Sequence, residues 1–264
     1  MLRGGRTLGV AIGLAGGALA LGACKKTASP SEPVTVAAAA DLAFAFRDLG
    51  PLYEKATGQQ VVFSFGSTGV LERQIAEGAP FDVFAAASAS FADDAVASGA
   101  CLPDSRTPYA TGRIVVYARS GAAVTPKALA DLTDPRMAKI AIANPEHAPY
   151  GRAAREALRR AGVWDAVSSK IVYGENVQQA LQFAQSGNAD AAIVALSLAI
   201  VTPGTWTLIP ADMHDRIDQV MVACAHGRAG PASGLRFVEF VRSDAARAVM
   251  HKYGFLLPGE ASTF

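Results

Sequence analysis

The sequence predicts an α/β fold, on three observations. Short apolar runs of strand length alternate with amphipathic stretches of helical period. The junction between a run and the stretch after it is short, polar and often marked by glycine or proline. A composition of 51% hydrophobic and 18% charged residues, with a formal net charge of +1, is that of a globular protein. Residues 34–264 are enough for one large domain or for two lobes.

The first residues stand apart from this pattern. Arg3 and Arg6 precede an uncharged run rich in glycine and alanine, 8–23, too short and small-sided to span a membrane. Residues 1–23 are therefore expected to be a signal peptide. The run ends in Leu21-Gly22-Ala23-Cys24. It resembles a bacterial lipobox, in which Cys24 becomes the lipidated first residue after cleavage and anchors the chain to a membrane. Ordinary cleavage beside an unmodified Cys24 is the alternative. Residues 24–33, polar and carrying Pro30 and Pro33, suit a tether. The expected place is the cell envelope, on its periplasmic side.

The folded part begins near Val34. Residues 34–40 (VTVAAAA) read as a buried strand, and Leu42, Phe46, Leu49, Tyr53 and Ala56 then recur at helical spacing up to Gly58. Asp41 sits at the junction. Residues 61–65 are a second strand, Gly66-Ser67-Thr68-Gly69 a turn, and 70–77 a second helix stopped by Gly78 and Pro80. Further strands are expected at 81–87, 113–118 and 139–143. The segment 144–151 (NPEHAPYG) leads into a helix at 152–160, and Pro149 suits a first helical turn. A short strand at 171–173 feeds the turn Gly174-Glu175-Asn176, whose Asn176 is a natural N-cap for a helix at 177–185. Strands at 190–195 and 220–225 and helices at 235–242 and 244–253 complete the chain.

Four helices thus begin directly after polar turns, at 41, 66–69, 149–151 and 176, two in each half of the chain. A helix start carries roughly half a positive charge and unpaired N–H groups, so several converging starts can bind an anion without lysine or arginine. Four to six charge-assisted hydrogen bonds at about 1.5–3 kcal/mol each offset association costs and leave the roughly 8 kcal/mol of micromolar binding. The plainer reading is that these are ordinary capped connections.

Other classes find little support. Basic residues are scattered without interleaved aromatics, which argues against nucleic acid as a partner. Cys101 and Cys224 can form at most one disulfide, and their spacing leaves pairing open; by default each reads as a small buried residue. His147, His214, His226 and His251 have no ligand-like spacing with each other or with the cysteines, so no zinc or other cation site is expected. GSTG lacks the G-x-S-x-G spacing of a nucleophile elbow, and no GxxxxGK loop occurs. The expectation is a binding protein without cofactor, not an enzyme.

The stretches VAAAADL (36–42), GSTGVLERQIAEGAPFDVF (66–84), IANPEHAPYGRAAREAL (142–158), WDAVSSKIVYGENVQQAL (164–181) and KYGF (252–255) resemble, in that order, the periplasmic molybdate-binding proteins of ABC transporters. The resemblance implies a type II periplasmic-binding-protein fold, two α/β lobes that close about a hinge on a dehydrated tetrahedral anion. Lobe 1 would comprise 34–112 and 199–264 and lobe 2 113–198, with crossovers near residues 112 and 198. It also implies a monomer that captures molybdate or tungstate and hands it to a membrane permease. The same role for phosphate, arsenate or sulfate is the alternative.

The family's contact positions carry over unevenly. Asp41 stands where well-known members have a serine, and a carboxylate beside a dianion is repulsive unless protonated or turned away. One reading has Asp41 capping its own helix while the following amides face the ligand. The other has it accepting a proton from the anion, which hydrogen phosphate or arsenate can donate and molybdate at neutral pH cannot. A second serine falls on Thr68, with Ser67 beside it; both hydroxyls can donate to an anion or cap the helix. The next two contacts are main-chain amides and fall on Tyr150 and Val177. A tyrosine hydroxyl of the family falls on Ala195, which has no donor, so the Tyr150 hydroxyl becomes the candidate replacement. Arg73 and Asp82 read as structural.

Overall fold

A strand that is apolar on both sides needs both faces of its sheet covered, and the first apolar run is placed accordingly. In the computed structural model, which describes residues 1, 4, 5 and 32–260, β1 (Val34–Ala39) is buried along nearly all its length. It lies between β2 (Val61–Gly66) and β3 (Val83–Ala86), parallel to both. Most of the expected signal peptide, Cys24 and most of the tether fall outside the described residues. Between β1 and β2 a 3-10 turn, Ala40–Leu42, runs into α1 (Ala43–Thr57). This helix buries Phe46, Leu49 and Tyr53 at successive turns and ends at Gly58 with φ 71°. α2 (Thr68–Ala76) follows β2, α3 (Ala89–Ala97) follows β3, and β4 (Thr107–Gly112) completes this first passage.

Arg113 alone then separates β4 from β5 (Ile114–Arg119), which belongs to a different sheet. There follow β6 (Ile140–Ala143), α4 (Pro149–Arg160), α5 (Trp164–Val167), β7 (Ile171–Gly174), α6 (Val177–Gln185), β8 (Ala191–Ala195), α7 (Leu196–Ala199) and β9 (Gly204–Leu208). β10 (Ile217–Ala223) returns to the first sheet before α8 (Pro231–Val241) and α9 (Asp244–Lys252). Among the described residues the sheets are five-stranded, ordered β2-β1-β3-β10-β4 and β7-β6-β8-β5-β9. Both repeat one plan. A parallel trio is flanked by an antiparallel strand that has just come from the other lobe.

The expected crossover near residue 198 is corrected. β9 pairs antiparallel with β5, from Val115 opposite Leu208 to Arg119 opposite Gly204, so residues 199–208 stay in the second lobe. The return runs through 209–216. A short edge strand reading GTWTL, with polar residues between its larger ones, carries little apolar signal.

Packing under the first sheet is aromatic. Tyr53 meets Phe237 with ring centroids 5.2 Å apart and Phe46 meets Phe63 at 5.3 Å, edge-on or tilted arrangements each worth about 0.5–1.5 kcal/mol beyond area burial. Asp82, fully buried, accepts the Thr35 N–H and hydroxyl at 2.8 Å each and the Gly230 N–H at 3.0 Å, tying β1 to the start of α8. Arg73 donates to the carbonyl of Gly69 at 3.3 Å, within its own helix. Both positions act within the scaffold.

The cysteines depart from their default reading. Cys101 and Cys224 are buried and joined in a disulfide across 123 residues, linking the segment after α3 to the end of β10. Closing so long a loop restricts the unfolded chain, so a Cys101→Ala/Cys224→Ala protein should lose about 2–4 kcal/mol in urea unfolding. An unchanged midpoint would count against the bridge.

Candidate functional site

In a parallel sheet the carboxyl ends of neighbouring strands point the same way, so the helices that follow them begin along one edge. β1 and β2 in the first lobe and β6 and β7 in the second each end in a polar turn that feeds a helix. The two edges face each other. The cleft between them is lined by residues 39–41, 66–68, 87, 148–150 and 176–177, and its lining contains no lysine, arginine or histidine among the described residues. The five expected contact residues, Asp41, Ser67, Thr68, Tyr150 and Val177, all lie on it.

Helix boundaries decide which amides are available. α2 begins at Thr68 and α4 at Pro149, each earlier than the apolar period predicts, so Thr68 and Val177 are first and Tyr150 second in their helices. N–H groups at such positions have no intrahelical partner. Among the described residues these three meet no other acceptor. Asn176 caps α6, its Oδ1 accepting from the N–H groups of Gln178 and Gln179 at 3.0 Å each, which leaves that of Val177 free. Gly151 lets α4 start this close to β6, because a Cβ there would strike the Ala143 carbonyl.

The two hydroxyls differ. Thr68 Oγ1 accepts the Ala87 N–H at 3.3 Å, which leaves its proton for an acceptor in the cleft. Ser67 instead donates to the His147 carbonyl at 2.7 Å, and its Oγ lies 2.8 Å from His147 Nδ1. The Gly69 N–H reaches the same carbonyl at 3.0 Å. Ser67 thus joins the lobes at the rim, and a lobe-to-lobe stack of Arg152 on Phe91, 4.7 Å to the ring centroid, supports it.

Asp41 does not cap its helix; no side-chain cap is present there. Its Oδ2 accepts from Gln219 Nε2 at 2.6 Å and from the Tyr150 hydroxyl at 2.9 Å, while the Tyr109 hydroxyl donates to Gln219 Oε1 at 2.7 Å. Oδ1 is buried without a partner. Burial raises the Asp41 carboxyl from 3.8 to about 6, against the opposing pull of the hydrogen bonds from Gln219 and Tyr150. Burial, and then the charge of Asp41, hold the phenols of Tyr150 and Tyr109 well above their ordinary range, so both stay neutral donors. The Tyr150 hydroxyl, the candidate replacement for the phenol absent at Ala195, has a partner within the protein. Its single proton is donated to Asp41, in a space that Gly112 leaves open by lacking a Cβ.

Gln219, Tyr109, His147 and Ser197, whose hydroxyl donates to the Asp41 carbonyl at 2.8 Å, were not singled out by sequence as site residues. Gln219 had a signal. It is the one amide in the otherwise apolar run QVMVA, and an amide at a fully buried strand position needs partners.

Residues 34–256 match the family described as bacterial extracellular solute-binding protein. The chain is 35% identical over 247 residues to the molybdate-binding protein ModA of Rhodobacter capsulatus, covering 92% of this chain and 96% of that one. It is 30% identical over 229 residues to YvgL of Bacillus subtilis, a putative ABC transporter substrate-binding lipoprotein, covering 84% and 85%. The solved periplasmic molybdate-binding protein of Azotobacter vinelandii superposes with a TM-score of 0.78 at 31% identity, covering 85% of this chain and 99% of that one.

Asp41 makes stability depend on pH. The fold favours the protonated carboxyl, so this contribution is complete below about pH 4 and is lost as pH rises through about 6, on the order of 3 kcal/mol in all. Relative to the parent, ligand-free Asp41→Asn should therefore gain about that much between about pH 4 and pH 8, read from denaturant unfolding at each pH. A constant difference would show that Asp41 does not titrate across that range.

Proposed function

The chain belongs to the bacterial extracellular solute-binding proteins, in the family of periplasmic molybdate-binding proteins of ABC transporters, and on that footing we propose that it captures molybdate or tungstate between its lobes and delivers it to a membrane permease. It is a binding protein and not an enzyme, and needs no cofactor. The observation that carries the cargo assignment is the meeting of helix starts from both lobes at a cleft whose lining holds no cationic side chain among the described residues. A tetrahedral dianion offers only acceptors. The amides of Thr68, Tyr150 and Val177 and the Thr68 hydroxyl offer only donors to it, and a dry cleft strengthens each bond. Contacts from both lobes stabilise the closed arrangement, which is the form that docks on the permease.

Export as a monomer anchored through a lipid on Cys24 belongs to the same proposal. The disulfide supports an oxidising compartment, and the lipoprotein description of the Bacillus relative supports the anchor. Hydrogen phosphate or arsenate is the second reading of the cargo. It has one observation in its favour, the unpartnered Oδ1 of Asp41, which can accept a proton from a protonated anion.

Calorimetric titration with molybdate, tungstate, sulfate and phosphate separates these readings. Micromolar or tighter binding of molybdate and tungstate, with sulfate and phosphate silent, is expected; binding of phosphate alone would select the second. Thr68→Val should weaken molybdate binding about 10- to 100-fold through loss of one charge-assisted hydrogen bond, and an unaltered Kd would remove Thr68 from the site. In a bacterial host, Cys24→Ser should move the protein from the membrane to the soluble fraction. Retention in the membrane would refute the anchor.

A further inference from the structure

Asp41 is the acidic side chain of the cleft lining, and its two oxygens are unlike. Oδ2 already receives Gln219 Nε2 and the Tyr150 hydroxyl; Oδ1 is buried and receives nothing. An ionised carboxylate at this place would repel a bound dianion, and among the described residues no cationic side chain lines the cleft to offset it. α6, α7 and β2, which pack on the turn that holds Asp41, carry no titratable side chain. On α1, Arg47 is exposed and Asp48 is engaged by Lys252 and Tyr253. From β4 comes the Tyr109 phenol and from β10 the neutral Gln219, while Asp218 lies exposed beside Arg216. On α2, Arg73 is turned to the Gly69 carbonyl and Glu72 is absent from the lining; on α4, Arg152 lies over Phe91. His147 faces Ser67.

We propose that Asp41 takes up one proton from solution as the oxyanion binds and donates it, from Oδ1, to an oxygen of the ligand, supplying the donor that Ala195 lacks. This rests on the oxyanion-binding reading above. The balance is simple: carboxylate, proton and dianion combine into a neutral carboxyl hydrogen-bonded to the dianion, with no covalent bond to the ligand made or broken. Oδ2 keeps its two donors throughout, and the Gln219 amide cannot accept a proton there, so Oδ1 is the oxygen that carries it. Burial has already made that carboxyl easy to protonate. A dianion placed beside it favours the neutral form further. A carboxyl is thereby both donor and gate, since an anion that arrives with its own proton leaves no place for this one.

The test is titration of the protein with sodium molybdate in buffers of different ionisation heat, which counts protons taken up. Near pH 7.5 the parent should take up about one proton per anion, and its affinity should fall about tenfold per pH unit between about pH 6.5 and 8.5. Asp41→Asn keeps an acceptor for Gln219 and Tyr150 and sets a permanent N–H donor in the other position. It should bind molybdate without proton uptake or pH slope, and more tightly than the parent at about pH 8.5. Binding by the parent without uptake overturns the proposal. So does uptake that persists in Asp41→Asn and disappears in His147→Gln. If Asp41→Asn fails to fold, the proton count and slope of the parent decide alone. Absence of molybdate and tungstate binding by the folded parent at every pH is a distinct result, and it overturns the oxyanion reading itself.

Discussion

Amides at helix starts attract an anion strongly only where water is kept away, and neither lobe can exclude water from its own edge. The site therefore needs two edges, and the architecture supplies them. Parallel strands gather helix starts on one side of each sheet, and the crossovers at Arg113 and at residues 209–216 set those sides face to face. Arg113 is itself held, donating to the Gly254 carbonyl at 2.9 and 2.6 Å from its Nε and a terminal nitrogen. The links of buried Asp82 to Thr35 and Gly230 and the disulfide at the end of β10 tie the first sheet together behind the cleft.

Hinge and site share hydrogen bonds. Tyr109 lies on β4, the strand that leads out of the first lobe, and Gln219 on β10, the strand that leads back. Both reach Asp41 through one chain of donors, and Tyr150 joins that chain from the second lobe. Opening the lobes would take the Tyr150 hydroxyl and the Ser197 hydroxyl away from Asp41 and the His147 carbonyl away from Ser67 and Gly69. Closure thus satisfies buried polar groups even before a ligand contributes. An anion bound as proposed would add bonds to amides that the protein leaves unpaired, which is the differential affinity that a population shift requires.

Elements with strong period were legible in the sequence. VTVAAAA, KIAIA and DAAIVA became buried strands, and the helix at 177–185 matches its expected limits with Asn176 as cap. Weak or mixed patterns were not. α3, ASFADDAVA, is rich in small residues and buries only Ala92 and Ala95; β4 contains Pro108, and β9 has exposed Thr205 and Trp206. Missing β9 shifted the expected lobe boundary by ten residues, because edge strands owe their place to a partner strand distant in sequence. Pairing of Cys101 with Cys224 was invisible for the same reason.

By itself the sequence determined the class of fold, the order of strands and polar turns, and which turns could offer unpaired amides, since these follow from local period, caps and punctuation. It placed Asp41, Ser67, Thr68, Tyr150 and Val177 along the chain, but not the direction in which each side chain spends its hydrogen bonds. Tertiary structure decided that Ser67 serves lobe contact, that the Tyr150 hydroxyl belongs to Asp41, and that one carboxylate oxygen is buried alone. Those outcomes depend on Gln219 and His147, 178 and 80 residues away from their partners; local pattern can mark a buried amide such as Gln219 as needing a partner, but it does not say which distant residue the partner is.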